Sequence, residues 1–272
     1  MDSAKFDAVV ALLTGKRIAV LTGAGISTDS GIPDYRGEGA PVRKPMTFDQ
    51  FRSDRASHQR YWAGSHLGWR RFAAAVPNNG HRALAEMERT GVVTGVVTQN
   101  VDGLHRRAGS ARVIELHGSM DRVRCLTCGQ LFARAAVAAK LSKANPWLET
   151  AQDFELRPDG DAEPGSGREL IVPVCTVCGG MLKPDVVFFG ELVPRDTFLA
   201  AQSLVEHADA LVVAGSSLAV NSGIRLLDRA NKAGHPVVII NRGATKGDHR
   251  ASIMLESGTS ETLTALAQRL QR

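Results

Sequence analysis

The chain has 272 residues, of which 43% are hydrophobic and 22% are charged, and its formal net charge is +5. This composition is ordinary for a globular protein of one or two domains, so composition by itself names no function. The sequence has no long apolar run and does not open with a basic segment followed by an apolar one. We therefore expect a cytoplasmic protein without a membrane span or secretory signal. The mild, dispersed positive charge favours solvated helix faces over a nucleic-acid surface.

In chain order, amphipathic helices alternate with short apolar strands. The first helix is predicted to be capped by Ser3 and to bury Phe6, Val9 and Leu13, which recur at helical spacing. Four helix–strand units are predicted, at residues 3–15 with 17–21, 82–89 with 92–98, 197–207 with 210–214, and 223–231 with 236–240. A last helix begins near Ser260. Helices between β-branched strands predict a parallel sheet covered on both faces, which is a Rossmann-like α/β fold.

Two segments interrupt this alternation. Residues 37–79 lack β-branched runs but carry several aromatic residues, and residues 119–183 contain all the cysteines. A Pro-, Gly- and acid-rich stretch at 157–167 predicts an exposed, mobile loop within the second segment. We expect a Rossmann-like domain formed by residues 1–36, 80–118 and 184–272. The helical insertion at 37–79 and the cysteine-containing module at 119–183 are expected to pack together as a small domain.

The four cysteines form two Cys-x-x-Cys pairs, Cys125 with Cys128 and Cys175 with Cys178, and no cysteine is left over. In a chain expected to be intracellular, this spacing predicts one zinc ion with four thiolate ligands rather than disulfides. Four protein ligands fill the coordination shell of zinc, so we expect a structural role and not a catalytic one. The cysteine-containing module is therefore predicted to be a zinc-binding module.

Polar or glycine-rich segments follow the four predicted strands. They are Gly23-Ala24-Gly25-Ile26-Ser27, Gln99-Asn100-Val101-Asp102, Gly215-Ser216-Ser217 and Asn241-Arg242-Gly243. In open α/β sheets, ligands bind beyond the carboxyl ends of the strands, and four such ends predict a large ligand such as a dinucleotide. The glycine segment is not the dehydrogenase fingerprint, because Thr28 stands at its third glycine and Arg43 at its acidic residue.

Each motif alone is a weak signal, and a lone histidine such as His117 is more often packed or exposed than catalytic. The order of the motifs along nearly the whole chain, however, resembles the sirtuin family. The motifs are Gly23–Ser27, Gly31-Ile32-Pro33-Asp34-Tyr35-Arg36, Thr98–His105, Glu115-Leu116-His117-Gly118, the two cysteine pairs, Lys183–Glu191 and Gly215–Ser217. Tyr35, the stretch Arg60–Ala63 with Gly68-Trp69, and Pro184–Gly190 resemble the class II branch of that family.

The resemblance implies a role for each motif. The catalytic residues would be His117, as general base, and Asn100. NAD would be held on the nicotinamide side by Gly23, Ala24, Gly25, Ile26, Ser27, Asp34, Tyr35, Arg36, Gln99, Asn100, Val101 and Asp102. Its phosphates and adenosine would be held by Gly215, Ser216, Ser217, Asn241, Arg242, Gly243 and Thr259. A substrate peptide would add as a strand between Val187, Phe188, Phe189 and Gly190 on one side and Leu218 and Ala219 on the other.

The implied activity is NAD-dependent deacylation of protein lysines, with acylated lysine proteins as partners and without specific nucleic acid or membrane binding. Nicotinamide leaves as the acyl oxygen attacks C1′ of the ribose, and the acyl group then moves to ADP-ribose. A neutral imidazole at His117, with an ordinary pKa near ~6.5, would take a ribose hydroxyl proton. The carboxylate of Asp102 would accept a hydrogen bond from the nicotinamide carboxamide.

Two positions depart from common sirtuin patterns. Ser222 stands where many sirtuins have proline, as in class II, and Gly64 stands where close class II relatives often have arginine. If that arginine selects acyl groups, Gly64 argues against a preference for acidic ones.

Three other functions stay open at this point. Mono-ADP-ribosyl transfer would use the same site. A non-catalytic NAD-sensing module would not need His117 and Asn100 together. A nucleic-acid-binding zinc ribbon is favoured by Arg122 and Arg124 but opposed by the acidic residues at 153–163.

Overall fold

The computed structural model describes residues 1–34, 45–150 and 170–270. Its strands are β1 (Ile18–Thr22), β2 (Val93–Thr98), β3 (Val113–Glu115), β4 (Gly118–Cys125), β5 (Leu131–Ala133), β6 (Leu182–Val186), β7 (Ala210–Ala214), β8 (Val237–Asn241) and β9 (Ile253–Glu256). Its α-helices are α1 (Ser3–Leu13), α2 (Phe48–Ser53), α3 (Arg55–Ala74), α4 (Asn79–Arg89), α5 (Leu104–Arg107), α6 (Arg134–Ala144), α7 (Arg195–Glu206), α8 (Asn221–Lys232) and α9 (Thr259–Leu270). Among these helices none is both long and apolar enough to cross a membrane. The loop predicted at 157–167 and Arg43 lie outside the described residues.

Six parallel strands form the central sheet, in the order β3-β2-β1-β7-β8-β9. The side chains of β1 alternate between its faces: Ile18 and Val20 pack with α1, α4 and α9, whereas Ala19 and Leu21 pack with α7 and α8. Since both faces are covered, the strand is apolar at every one of these positions instead of alternating with polar residues. The predicted Rossmann-like parallel sheet is confirmed.

A second sheet has three antiparallel strands, in the order β5-β4-β6, and lies next to the cysteine pairs. Its apolar side chains share one cluster with α2 and α3, in which the fully buried Phe51 and Trp62 pack with Val123, Leu141 and Leu182. The helical insertion and the cysteine-containing module therefore have an apolar core in common. The domain boundaries themselves stay a prediction, and the one placed between residues 183 and 184 falls inside β6.

Two details differ from the expectation. Asp2, and not Ser3, caps α1, because its carboxylate accepts from the amide of Lys5 over 3.1 Å and Ser3 is already helical. Both residue types are favoured at this position, so the sequence did not distinguish them. The edge strand β9 was not expected at all. Only Leu255 of β9 is buried, so the strand has too short an apolar pattern to be recognised.

Candidate active site at the carboxyl edge of the sheet

Two glycine-containing loops lie in direct backbone contact at the carboxyl edge of the central sheet. The Gly25 amide donates to the Gly215 carbonyl over 2.8 Å, and the Gly23 amide donates to the Ala214 carbonyl over 3.2 Å. A Cβ atom at Gly23 would lie 2.8 Å from the Gly215 carbonyl oxygen, and one at Gly215 would overlap the amide of Ile26. Gly215 also has a φ of +63°, which glycine adopts without strain. The glycines therefore allow the loops after β1 and β7 to touch.

The loop after β1 does not lead into a long helix. It makes two short 3₁₀ turns, Ala24–Ile26 and Thr28–Ser30, and Gly31 ends the second turn with a φ of +80°. Asp34 is half-buried at the end of this described segment. Tyr35 and Arg36 lie outside the described residues, so their place over the nicotinamide stays a prediction.

Ser27, Asn100 and Asp102 form one hydrogen-bonded cluster between the ends of β1 and β2. The Ser27 hydroxyl donates to one Asp102 carboxylate oxygen over 2.7 Å, and the Asn100 amide group donates to Ser27 Oγ over 3.1 Å and to the Gly23 carbonyl over 3.0 Å. The other Asp102 oxygen accepts from the Leu104 amide over 2.9 Å. Burial raises the pKa of Asp102, and these hydrogen bonds oppose that rise because they stabilise the carboxylate.

Gln99 and Ser216 connect the end of β2 with the loop after β7. Gln99 Nε2 donates to Ser216 Oγ over 2.8 Å, and the same oxygen accepts from the Leu218 amide over 3.2 Å. The Ser217 carbonyl accepts from the Lys246 amide over 3.0 Å. The Val101 carbonyl accepts from the Met120 amide and so connects the segment after β2 with β4. The ends of β1, β2 and β7 are therefore brought together, as the sequence predicted.

The fourth strand end, after β8, lies beside the same loops. The Gly215 amide donates to the carbonyl of Ile240, the penultimate residue of β8, over 2.9 Å. At the strand end, the Asn241 side chain donates to the carbonyls of Arg242 and Gly243, both of which are exposed. Thr259, at the start of α9, donates its hydroxyl to the Gly25 carbonyl over 3.2 Å. The site thus extends along the edge from β2 to β8.

His117 follows β3 and is held at both ring nitrogens. Nδ1 lies 3.0 Å from the Gln99 carbonyl oxygen, and Nε2 lies 2.9 Å from Ser222 Oγ. A carbonyl only accepts hydrogen bonds, so the neutral ring carries its proton on Nδ1 and leaves Nε2 as an acceptor for the Ser222 hydroxyl. Burial lowers the pKa of His117, and the Gln99 carbonyl opposes this. The imidazole is therefore neutral at pH 7.

The first predicted peptide segment adjoins His117. The Val187 amide donates to the His117 carbonyl over 2.9 Å. Phe188 is buried against Tyr61, with ring centroids 4.8 Å apart, whereas Phe189 is 49% exposed. The segment is not a strand of either sheet, because β6 ends at Val186, and Phe189 forms only an isolated bridge with Thr47. The Phe189 side chain is therefore the aromatic group that this segment offers at the surface.

The second predicted peptide segment belongs to no strand or helix. Leu218 is fully buried and has a φ of +53°, a left-handed conformation rare for a side chain of this kind. The Ala219 carbonyl lies 3.3 Å from Lys246 Nζ. Leu218 is therefore not extended, and the addition of a peptide beside this segment stays a prediction.

A buried polar layer under the site was not expected from the sequence. The Thr22 hydroxyl donates to Thr98 Oγ1 over 2.9 Å and lies 2.9 Å from His105 Nε2. Thr98 Oγ1 also accepts from the Asn100 amide over 3.1 Å, so this layer reaches the catalytic candidates. Thr22 and Thr98 at the ends of apolar strands and His105 in α5 gave no signal of this network, since it joins residues far apart in the chain.

Asn78 supports the loop after β1 from below. Its side-chain oxygen accepts from the Gly80 amide and caps α4, while its Nδ2 donates to the Ile26 carbonyl over 2.7 Å and to Ser30 Oγ over 3.0 Å. An asparagine directly before a helix is a recognisable capping signal. Its second contact, to the loop, could not be read from sequence.

The four cysteine sulfurs lie within 4.8 Å of one another. Cys125 Sγ is 3.5 Å from Cys178 Sγ, and Cys128 Sγ is 3.7 Å from Cys175 Sγ. Tetrahedral zinc with Zn–S bonds of about 2.3 Å requires sulfurs about 3.8 Å apart, so the cluster fits zinc and is too open for disulfides. Backbone amides of Cys128 and Thr127 lower the pKa of Cys125, which favours a thiolate ligand.

A model of the Sir2 family matches residues 23–222. The chain belongs to the Sir2 family. A relative named NAD-dependent protein deacetylase 1 from Mycobacterium avium (strain 104) is 52% identical over 266 residues, covering 96% of this chain and 94% of that protein. Another with the same name, from Streptomyces coelicolor, is 51% identical over 258 residues, covering 93% and 86%. The resemblance to sirtuins is confirmed, while the class II placement stays a prediction.

Solved sirtuin structures share this fold. A Sir2–p53 peptide–NAD+ structure has a TM-score of 0.75 and 32% identity, and covers 97% of both chains. A structure of Sir2Tm bound to a propionylated peptide has a TM-score of 0.77 and 31% identity, and covers 97% of this chain and 98% of that one. The first of these neighbours was solved with NAD+ and a p53 peptide, and the second with a propionylated peptide.

Proposed function

We propose that this Sir2 family protein is an NAD-dependent protein-lysine deacylase, which transfers the acyl group of an acyl-lysine to ADP-ribose and releases nicotinamide. Family membership and relatives named NAD-dependent protein deacetylases support this activity. The observation that carries it in this chain is a neutral histidine, His117, with its acceptor nitrogen in the region where four strand ends converge.

His117 is proposed as the general base. The Gln99 carbonyl fixes the tautomer, so Nε2 is the nitrogen that receives a proton. Because burial keeps the pKa of the ring low, the ring enters the reaction unprotonated. The neutral imidazole of His117 therefore suits a reaction in which a proton is removed from a hydroxyl group.

The residues at the strand ends fit NAD, which supplies the ribose carbon from which nicotinamide departs. Gly23, Gly25 and Gly215 shape this edge, because they let the two loops touch while their amides donate to backbone carbonyls. Ser216 offers a hydroxyl beside them. The cofactor set proposed at this edge is completed by Ala24, Ile26, Ser27, Asp34, Tyr35, Arg36, Gln99, Asn100, Val101, Asp102, Ser217, Asn241, Arg242, Gly243 and Thr259.

Asn100 and Asp102 are proposed at the nicotinamide end. Asp102 is held by Ser27 and by the Leu104 amide, so its position is fixed before a ligand arrives. Its carboxylate can accept from the carboxamide NH2 of nicotinamide, and Asn100 can orient the ribose. The site therefore contributes preorganised hydrogen-bonding groups.

The acyl-lysine peptide is proposed to enter next to His117. Val187 contacts His117 through its amide, and the exposed ring of Phe189 offers an apolar surface. The proposed peptide contacts are Val187, Phe188, Phe189, Gly190, Leu218 and Ala219. The buried position of Phe188 favours a supporting role for its side chain.

One zinc ion is proposed to be held by Cys125, Cys128, Cys175 and Cys178, where it would cross-link the small domain and supply no chemistry to the reaction. The domains are proposed at the boundaries predicted from sequence. The cytoplasmic location and the absence of nucleic-acid or membrane partners remain predictions.

Mono-ADP-ribosyl transfer is the second candidate, because it would begin from the same bound NAD. The products separate the two activities. Mass spectrometry of a reaction with acyl-peptide should find acylated ADP-ribose and deacylated peptide, whereas the alternative yields protein carrying ADP-ribose. A non-catalytic NAD sensor would give neither product.

The proposed function is tested by His117→Ala. General-base catalysis contributes about 10²–10⁴-fold, so we expect nicotinamide release with an acyl-lysine peptide to fall by about that factor. NAD binding by calorimetry, zinc content and melting temperature should be retained. His207→Ala, a change at an exposed histidine after α7, should leave turnover unchanged. Wild-type turnover in folded His117→Ala would refute the proposal.

A further inference from the structure

Ser222 is hydrogen-bonded to Nε2 of His117, the ring nitrogen that the proposed reaction uses. Its Oγ lies 2.9 Å from Nε2, and the residue is 8% exposed. Since the Gln99 carbonyl holds the proton on Nδ1, the Ser222 hydroxyl can only be the donor in this contact. The imidazole is thus held in its plane from both sides, by a carbonyl and by a hydroxyl.

The hydroxyl is itself fixed by secondary structure. Ser222 lies in the first turn of α8, whose N-cap Val220 makes no side-chain capping bond. The next residue, Gly223, approaches the Gln99 side chain so closely that a Cβ there would lie 3.2 Å from its Oε1. The start of α8 is therefore packed directly on the segment that carries the other hydrogen bond of His117.

Among the described residues, Ser222 Oγ is the hydrogen-bond partner of Nε2, so it is also placed to accept from a protonated ring. Burial and the positive end of α8 both disfavour an imidazolium at this place. Four charged side chains of the described elements β3, β6 and α8 have partners other than His117. Glu115 and Asp185 each accept from Arg122 at 2.9 Å, Lys183 pairs with Glu191 at 2.7 Å, and Arg225 lies over Phe198 at 4.1 Å.

We propose that Ser222 is a positioning residue for His117, which donates to Nε2 of the neutral ring and accepts from Nε2–H after the ring has taken a proton. Only rotation of the hydroxyl hydrogen separates the two states, so Ser222 neither gains nor loses a proton. The proton comes from the ribose hydroxyl, whose oxygen keeps the electron pair. Because Nε2 has a single lone pair, the ribose hydroxyl takes the place of the Ser222 hydroxyl at this nitrogen while the proton moves, and Ser222 accepts from Nε2–H afterwards. This inference rests on the proposed deacylase function.

The effect of Ser222 on the basicity of His117 follows from the strengths of the hydrogen bonds made by the protonated and the neutral ring. A hydrogen bond from an imidazolium is charge-assisted and is stronger than the bond that a hydroxyl makes to the neutral ring. Ser222 therefore makes His117 a stronger base than the same ring without the hydroxyl. Removing the hydroxyl should lower kcat and move the acidic limb of the pH profile to lower pH.

The test compares Ser222→Ala with the wild-type protein. We expect kcat for nicotinamide release to fall about tenfold, and the acidic limb to move down by about half a pH unit, while KM for NAD and peptide changes little. Ser222→Thr, which keeps a hydroxyl, should have a kcat and an acidic limb close to those of the wild type. Asn221→Ala, at the exposed neighbouring position of the same turn, should change neither.

A role confined to starting α8 predicts another outcome. If Ser222 only helped to start α8, Ser222→Ala would have a lower melting temperature and an unchanged acidic limb. That result would overturn the inference. Ser222→Pro removes the hydroxyl by a second route, because proline is tolerated in a first helical turn, and should give the same shift as alanine.

NMR titration of the His117 ring separates this inference from the proposed function. The ring pKa should be lower in Ser222→Ala than in the wild type without any substrate present. If the wild type releases no nicotinamide, the deacylase proposal fails while this titration still reports on the contact. An unchanged ring pKa in an active enzyme overturns the inference alone.

Discussion

At the scale of single residues, burial acts on His117 and Asp102 in ways that suit different tasks. Burial disfavours whichever form is charged, so it lowers the pKa of the histidine and raises that of the aspartate. For His117 the result is a neutral ring that can accept a proton. For Asp102 the hydrogen bonds from Ser27 and the Leu104 amide oppose the rise in pKa, because they stabilise the carboxylate.

Asp102→Asn tests whether the carboxylate is needed for more than folding. Asparagine keeps an oxygen for the Leu104 amide and an amide group that Ser27 can accept from, so the melting temperature should change little. Nicotinamide release should fall about 10–100-fold, the size expected for a lost hydrogen bond to a charged group. Asp121→Asn, a change at a nearby exposed aspartate, is the control and should keep activity within about twofold. Equal activity of both variants would remove Asp102 from the site.

At the scale of elements, the site depends on the contact between the loops after β1 and β7. Gly215→Ala should abolish NAD binding in calorimetry, because the added Cβ overlaps the backbone of the neighbouring loop. Gly234→Ala is a matched control: its φ is +75°, but no atom lies within 4 Å of the added Cβ. It should cost only the left-handed strain of about 1–2 kcal/mol and leave NAD binding intact. Normal NAD binding by Gly215→Ala would show that the loops can separate.

The zinc-binding module gives a second prediction at this scale. The purified protein should contain about one zinc per chain, and Cys175→Ala should lose it. Cys125 and Cys175 also belong to the apolar cluster that contains Trp62 of α3, so metal loss should expose amides of α3 in hydrogen exchange. Val177→Ala, an exposed position within the second cysteine pair, should retain the metal. Full zinc content in Cys175→Ala would rule out the four-cysteine site.

At the scale of the whole molecule, the features that could be predicted from the sequence are those that depend on short local patterns of residues. The parallel sheet followed from apolar runs between helices, and the convergence of the strand ends followed from the sheet. The edge strand β9 was missed because most of its side chains are not buried. Contacts between distant residues, such as Ser222 with His117 or Asn78 with Ile26, leave no local pattern. They depend on how elements pack, which periodicity does not specify.

The stability of the whole molecule should depend on two buried histidines behind the site, His81 and His105. Their rings lie 4.8 Å apart, and burial lowers the pKa of His81 to about 4 and that of His105 well below its ordinary value. In the unfolded chain both return to about 6.5, so below that pH the unfolded state binds more protons than the folded state. Stability is therefore complete above pH 6.5 and is lost as the pH falls towards 4.

His81→Gln isolates the contribution of one ring. Glutamine at the third position of α4 can replace the ring nitrogen that accepts from the Asn78 amide, but it does not titrate. We expect the free energy of unfolding, measured with urea between pH 7.5 and 4.5, to fall less steeply below pH 6.5 in this variant than in the wild type. The two slopes should differ by up to about 1.4 kcal/mol per pH unit. The raised pKa of Asp102 acts in the opposite direction at the acidic end, but equally in both proteins, so the difference between them is unaffected. Parallel stability curves would mean that His81 has the same pKa in the folded and unfolded states.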